Sequence, residues 1–529
     1  MSKLVTLHIQ NYRGIKDLKC DFSGFNMCCL IGHCDSGKST VLQAISILFA
    51  TNWTIPVSDE DFHKLDTSSP IRITGIVEDP PKKLLTVDKF GLDAFWRDED
   101  NQQGLSLEMV LTVESDLSPR WEIRNHNNDE YHPISNKDRS LFNIRMIDDY
   151  FDTQFNMSKY SLLKSLVADI EGDAAFESNI GIDLIRDLKQ QLNIGNDLGK
   201  KVSEKLNAQV ASLGGEPHLY SLAVPTAELL LRGNQIGLHA EEVPVRLMGK
   251  GSRRQLSLGL QLALSSSESS IILIDEIEQG LEPYKVKTIV RTLKESGRQV
   301  FVTTHSDNVL CELDASDLFL LKKDAHELIH LSGTCQALLR TNQDAFFFDK
   351  LIVCEGETEY GFVLELDRYL WKENKGTLSS CSVSPIIGKG DNIVNVVDTL
   401  NSLDISSLCF MDSDKPRIIS SLNGKTLICS CEDDMAIEQQ FFKDAPVSTI
   451  ETIIEDAKAR NWLSKDYVFQ AQDRSYLGER AKNGKWFKSV SGGRQLGHSL
   501  FNHIEELDSS CCLYRQIQQL SAWIKGETE

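Results

Sequence analysis

The stretch FNMCCLIGHCDSGKSTVLQAISILF near the amino terminus constrains the fold of this chain more than any other. An apolar run ends in a glycine loop, and a second apolar run with helical spacing follows at once. Gly32, Gly37, Lys38 and Ser39 satisfy the spacing G-x-x-x-x-G-K-[ST]. Such a loop works only between a strand and a helix, because its N–H groups must converge on a phosphate at the helix N-terminus. The expected ligand is ATP with Mg²⁺. Gly32, Asp35, Ser36, Gly37, Lys38, Ser39 and Thr40 are the expected contacts, with Lys38 on the β- and γ-phosphates and the Ser39 hydroxyl on the metal.

A second cluster, IILIDEIEQGLEP, reads as a buried strand whose carboxyl end presents Asp275 and Glu276. Ligands of open α/β sheets lie at that end. Asp275 is placed to hold the Mg²⁺ shell and Glu276 to polarise the attacking water. After one more helix comes QVFVTTHS, another buried strand, with His305 at its exit to contact the γ-phosphate. Upstream, in GKGSRRQLSLGLQLAL, Gly249, Gly251, Ser252 and Gln255 open an apolar helix and make a second anion site. One phosphate tail does not need two such loops from one subunit. The pattern resembles the signature loop of ABC-type ATPases, and NYRGIKD, with Arg13, resembles the opening of their DNA-repair and chromosome-maintenance branch. The resemblance implies two ATPs sandwiched in a head-to-tail homodimer, with Gly251 and Ser252 capping the partner's nucleotide.

The glutamine-loop equivalent has no clear place, although SDEDFHKLDTSSPIRITGIVED is where it would fall. From about 150 to 235 the texture turns helical, with Leu162, Leu166 and Ile170 at i+4 spacing and Leu198, Val202, Leu206 and Val210 likewise. Two readings stand: internal packing of a helical subdomain, or a helical dimerisation insert.

From about 347 the pattern restarts. DKLIVCEGETEYGFVLELDRYL reads as strand, acidic turn and amphipathic helix; SVSPIIGKGDNIVNVVDTLNSL as strand, glycine turn and helix; ISSLCFMDSDKP as a third strand. The alternation implies a parallel sheet with Glu355, Asp412 and Asp414 at the carboxyl ends of strands. In extended conformation Asp412 and Asp414 project to one face, and Glu359 lies one helical turn beyond Glu355. Such carboxylates repel strongly unless a divalent metal neutralises them, which suits metal-assisted phosphoryl chemistry.

Bulk properties agree. At 529 residues the chain exceeds one ordinary core. A formal charge of −21 disfavours a protein that mainly coats nucleic acid but fits a site built from metal-binding acids. The thirteen cysteines lack a C-x-x-C pair and fall as adjacent pairs, Cys28 with Cys29 and Cys511 with Cys512, or singly in apolar strands such as those of Cys354 and Cys409, which reads as reduced thiols. There is no long apolar run and no signal-peptide core at the amino terminus, so the expected location is cytoplasmic, away from membranes.

The order E-G-x-x-E, G-x-G, D-x-D resembles the Toprim domain. Nothing around Tyr467, Tyr476 or Tyr514 marks a topoisomerase nucleophile, and a primase context is absent. An ABC-type ATPase followed by a Toprim domain is similar to the layout of the OLD (overcoming lysogenisation defect) family of nucleases, which includes Gabija- and retron-associated anti-phage effectors. The expected architecture is α/β: an ATPase domain over 1–342 with the helical insert, then a Toprim domain over 347–529 with a helical extension. The resemblance implies a Mg²⁺- or Mn²⁺-dependent DNA endonuclease, dimeric or tetrameric, acting with a defence partner such as a reverse transcriptase with its non-coding RNA, or a helicase. It carries Glu355, Glu359, Asp412 and Asp414 into the metal site. Glu438 is the third acidic element, against Glu432, Asp433 and Asp434, and Lys485, ahead of Lys488, is the lysine at the scissile phosphate. The alternative is a non-cleaving, ATP-dependent sensor of DNA or a partner.

Overall fold

In a computed structural model the chain divides into two compact units, Met1–Gly333 and Thr334–Glu529. The structure describes residues 2–99, 102–142, 144–147, 155–156, 161–171, 197–214, 218, 220–223, 237–241, 243–263, 271–322 and 327–527.

In the first unit, β1 (Lys3–Tyr12) and β2 (Ile15–Asp21) form a hairpin, and β3 (Met27–Ile31) leads through the glycine loop into α1 (Lys38–Leu48). β4 (Ile71–Glu78), β5 (Phe95–Glu99), β6 (Gln102–Val113), β7 (Pro119–Arg124) and β8 (Tyr131–Pro133) extend the hairpin into an antiparallel sheet, ordered β2-β1-β4-β6-β7-β8 with β5 on β6. β4, IRITGIVE, alternates buried and half-buried residues, as a strand with one covered face must.

β9 (Arg145–Ile147), α2 (Leu162–Glu171), α3 (Asp197–Ser212) and the small antiparallel sheet of β10 (Tyr220–Ala223), β11 (Gly237–Ala240) and β12 (Val243–Pro244) come next. Then follow α4 (Lys250–Ala263), β13 (Ile271–Ile274), α5 (Pro283–Glu295), β14 (Gln299–Thr303), β15 (Leu318–Leu321) and β16 (Leu328–His330). The second sheet runs β16-β15-β3-β14-β13-β9, parallel except at β16. Its inner strands MCCLI, IILI and QVFVT are buried at every position, the mark of a parallel sheet covered on both faces. α1 touches β1, β4 and β6 of one sheet and β9, β13 and β14 of the other, so one core joins both.

Of the helical insert, α2 and α3 are described and pack against each other and α4. Leu162, Leu166, Val202, Leu206 and Val210 are all buried, so these stripe positions serve internal packing of the unit. The remainder of the expected insert, and the Leu198 side chain, lie outside the described residues.

The second unit is a parallel sheet ordered β18-β17-β19-β20, from β17 (Lys350–Cys354), β18 (Val383–Ile387), β19 (Ser406–Met411) and β20 (Leu427–Ser430). Its main helices are α6 (Glu357–Lys372), α7 (Ile393–Ser402), α8 (Pro416–Leu422), α9 (Ile437–Asp444), α10 (Val447–Ala459), α11 (Arg474–Gly484), α12 (Val490–Phe501) and α13 (Cys512–Lys525). α6 and α12 meet along a seam without side chains. A Cβ on Gly361 would lie 2.2 Å from the Val490 carbonyl oxygen, one on Gly493 2.0 Å from that of Thr358, and one on Gly497 2.8 Å from the Glu365 Cβ. Only glycine lets these backbones touch.

Gly493→Ala is therefore expected to destabilise the second unit by about 1–3 kcal/mol or more through overpacking. Urea unfolding of the full chain, followed through its later-unit tryptophans, checks this; an unchanged midpoint would mean the helices separate freely.

Candidate functional sites

In the first unit the motifs read from sequence gather at the carboxyl ends of β3, β13 and β14. Gly32 has φ 134°, and a Cβ there would sit 2.3 Å from the Leu321 carbonyl oxygen, so the loop needs glycine. Lys38 lies back on its loop, donating to the carbonyls of Gly32 at 2.9 Å and His33 at 2.7 Å. Burial holds its ammonium below the ordinary lysine range, against the pull of Asp275, Asp35 and Glu276. Ser39 Oγ donates to Asp275 Oδ1 at 2.8 Å, which joins the glycine loop to the acidic strand end. Ser36 is buried, Asp35 is exposed with φ 60°, and Thr40 is half-buried in the first turn of α1.

Thr303, at the end of β14, donates to the same Asp275 oxygen at 2.6 Å and accepts the Glu276 N–H at 2.7 Å. Glu276 is exposed and held at φ 46°, a left-handed backbone that a non-glycine residue keeps only under constraint. His305 is exposed at the exit of β14; burial first, and then the Lys38 ammonium, lower its pKa from the ordinary 6.5. Arg13 is placed differently from a bare nucleotide contact: its Nε donates to Asp61 Oδ1 at 2.7 Å, and its backbone N–H donates to the Asp61 carbonyl at 2.7 Å. Gly251 and the exposed Ser252 stand in the first turn of α4, where a Gly251 Cβ would lie 2.4 Å from the Gly280 carbonyl oxygen.

Three residues of this region were not singled out from sequence. The wholly buried Arg254 donates to the Asp275 carbonyl and to Gln279 Oε1. Thr303 bridges the two acids, and Glu278 accepts from Thr304 Oγ1 and from the His305 N–H, each at 2.7 Å. A pair of threonines before the histidine was the available signal.

In the second unit the acids line a cleft of about 400 Å³ bounded by Glu355, Glu359, Asp412, Lys389, Gly390 and Lys488. Register explains the convergence: Cys354 of β17 pairs with Phe410 of β19, so Glu355 and Asp412 leave neighbouring strands at the same end. Glu355 Oε2 accepts the Asp412 N–H at 3.1 Å, Glu359 Oε2 the Gly356 N–H at 2.9 Å and Asp412 Oδ1 the Ile437 N–H at 2.7 Å. Glu438 is fully buried, with Lys488 Nζ 3.3 Å from its Oε1. Lys488 therefore reaches the acids, whereas Lys485 is exposed at the left-handed end of α11 with φ 53°. Among the competing acids, Glu432 pairs with Arg515 and Asp433 with Lys443, whereas Glu438 lies beneath the cleft floor with Lys488 as its ion-pair partner.

Asp414 diverges from Asp412. The strand ends at Met411, so the alternation of extended chain no longer applies, and Asp414 pairs with Lys482 at 3.2 Å. Lys415, next in sequence, was also not foreseen; it sits 3.0 Å from Glu355 Oε1 and 2.8 Å from Asp391 Oδ1.

Desolvation, then repulsion from Asp412, raises the Glu359 pKa to about 8; desolvation, then repulsion from Glu355, raises that of Asp412 to about 6. Among the described residues no three carboxylate, imidazole or thiol groups are already gathered at ligand spacing. Two observations nonetheless fit a cation here: the mutual repulsion, and the buried oxygen Glu438 Oε2, which has no hydrogen-bond partner.

Comparison with known proteins follows the same division. Residues 2–169 match an AAA ATPase domain model, 112–312 a further AAA domain model, and 346–414 the TOPRIM domain of overcoming lysogenization defect protein-like chains. Over 525 residues the chain is 22% identical to the Old nuclease of Escherichia phage P2, covering 88% of this chain and 86% of that one. Among solved structures, the Smc head domain from Pyrococcus furiosus bound to the C-terminal domain of ScpA aligns over 63% of this chain and 97% of its own, at 14% identity and TM-score 0.38. RecF with ATP aligns over 62% and 99%, at 16% identity and TM-score 0.38.

The raised carboxyls fix the sign of a pH effect. Between their ordinary values of 4.5 and 3.8 and their raised ones, Glu359 and Asp412 hold more protons folded than unfolded. Metal-free stability therefore falls as pH climbs from about 4 to about 8. Glu359→Gln is expected to raise the metal-free melting temperature at pH 8 and to change it little at pH 5. Equal shifts at both values, read by calorimetry with a chelator present, would remove the repulsion from the account.

Proposed function

With AAA ATPase segments ahead of an OLD-like Toprim domain, the chain has the layout of the OLD nucleases, and from that premise we propose that it is an ATP-controlled, divalent-metal-dependent DNA endonuclease. The observation that carries the reading is the cleft at the carboxyl ends of β17 and β19, lined by Glu355, Glu359, Asp412 and Lys488, with the buried Glu438 paired to that lysine. Crowded, desolvated carboxylates ionise together only when a cation shares their charge, and a lysine beside them suits an anionic substrate.

Glu355, Glu359, Asp412 and Glu438 would hold Mg²⁺ or Mn²⁺, with Asp414 adjoining. The bound metal would supply Lewis acidity at phosphorus and a water of lowered pKa. Because the carboxyls must lose protons to bind it, metal affinity rises with pH. The chain's own residues do the rest. The N–H groups of Gly356, Asp412 and Ile437 orient the carboxylates, and Lys488 offsets negative charge at the scissile phosphate. Lys389 and Lys415 extend the positive rim along which a phosphodiester backbone can lie.

In the ATPase unit Lys38 and the loop N–H groups take the phosphates, Ser39 and Asp275 the Mg²⁺, Glu276 the attacking water and His305 the γ-phosphate. The exposed Ser252 at the start of α4 is free to cap nucleotide on a second copy, so the ATPase works as a homodimer, and paired dimers give a tetramer. Nucleotide state then gates cleavage. We assign the protein to cytoplasmic anti-phage defence, acting with a partner subunit of retron or helicase type. Among the described residues no helix is long and apolar enough to cross a membrane.

Supercoiled plasmid incubated with the chain, Mg²⁺ or Mn²⁺, and ATP tests the reading. Asp412→Ala is expected to abolish nicking, Lys488→Ala to slow it by roughly 100-fold, and Lys485→Ala to leave it within about three-fold, in line with losses of charge-stabilising groups. Glu276→Gln should trap ATP and change cleavage. If wild type and Asp412→Ala are equally inert on plasmid, linear and single-stranded DNA, the nuclease reading fails and the sensor reading takes its place.

A further inference from the structure

Resting on the reading that His305 acts at the γ-phosphate, we propose that Glu278 is a positioning residue for ATP hydrolysis, its carboxylate clamping the segment after β14 and so setting His305 against the glycine loop. Both carboxylate oxygens are engaged. Oε2 accepts the Thr304 hydroxyl and Oε1 the His305 N–H, each at 2.7 Å. Hydrogen bonds to an ionised acceptor are about twice as strong as neutral ones. Thr304 is wholly buried, and its oxygen also accepts the Ser306 N–H at 3.0 Å. One side chain thus fixes three consecutive residues.

The two threonines are divided between two acids of one loop. Asp275 takes Thr303, and with it the Glu276 backbone; Glu278 takes Thr304, and with it His305. The water-polarising and γ-phosphate residues are therefore held in one frame. That frame continues into α4: Gln279 accepts from Arg254, and Gly280 meets the backbone of Gly251 so closely that a Cβ would lie 2.4 Å from its carbonyl oxygen. A shift of His305 on γ-phosphate loss must pass through Glu278 into the loop that abuts the helix start where Ser252 stands.

Glutamine has the same shape as glutamate but accepts at one atom and donates at the other, so Glu278→Gln opposes an N–H₂ to one of the two donors and opens the clamp. Steady-state hydrolysis, ATP binding by equilibrium dialysis and thermal melting would be measured on the full chain carrying Glu278→Gln, His305→Ala, both, or Thr304→Val. Glu278→Gln is expected to lower kcat at least ten-fold with ATP affinity and melting temperature nearly unchanged, Thr304→Val to lower it less, and the double variant to be no slower than His305→Ala alone. Full kcat in Glu278→Gln and Thr304→Val, or multiplying effects in the double variant, would overturn the proposal. A His305→Ala chain that hydrolyses normally would overturn the premise instead, and the single variant shows which has failed.

Discussion

Buried negative charge at the carboxyl end of a parallel sheet is the constraint on which the second unit depends. Glu355, Glu359, Asp412 and Glu438 are all more than nine-tenths buried, and their charges oppose one another. Desolvating an isolated carboxylate is costly enough that the group keeps its proton unless something compensates. Part of the compensation is visible in the chain: three backbone N–H groups, and the ammonium groups of Lys415 and Lys488. What remains uncompensated is the Glu438 oxygen without a partner and the repulsion that raises the pKa values of Glu359 and Asp412. A divalent cation would answer that remainder, which is why the proposed function rests on one.

The glycine seam serves the same end. α6 begins two residues after Glu355 and carries Glu359 in its first turn, while α12 begins two residues after Lys488. Backbone contact between the helices, reinforced by the Thr358 hydroxyl donating to the Phe487 carbonyl at 2.9 Å, sets the lysine against the acids.

Legibility in the sequence followed locality. The glycine loop, the buried strands MCCLI, IILI and LIVC, and the acids at their ends depend on residues within one strand–loop–helix step, and each stood where pattern placed it. Lys485 and Lys488 lie on one turn, and which of them faces the cleft is decided by a left-handed residue at the end of α11, a detail that composition does not carry. The relation of Asp414 to Asp412 turned on whether the strand continued past Met411. The stripe in α2 and α3 has the period of a helix face, but periodicity cannot say whether that face meets a partner or, as here, the neighbouring α4.

The two units solve opposite electrostatic problems with one architecture. In the first, a sheet end gathers the glycine loop, Lys38 and the acids Asp275 and Glu276; in the second, the same position gathers acids and the lysines sit at the rim. Because the strand ends are rigid, neither site can be switched by moving its floor. Control has to act through the parts that leave the strands, and in the first unit these are the segments tied together by Asp275, Glu278 and the paired threonines. A carboxylate with two short donors holds only one geometry, so on the proposed reading a change at His305 would be resisted locally and expressed instead at Gly280 and the start of α4. If the proposed pairing holds, a second copy of the chain would bind nucleotide there, and subunit pairing rather than deformation of either sheet would carry ATP control.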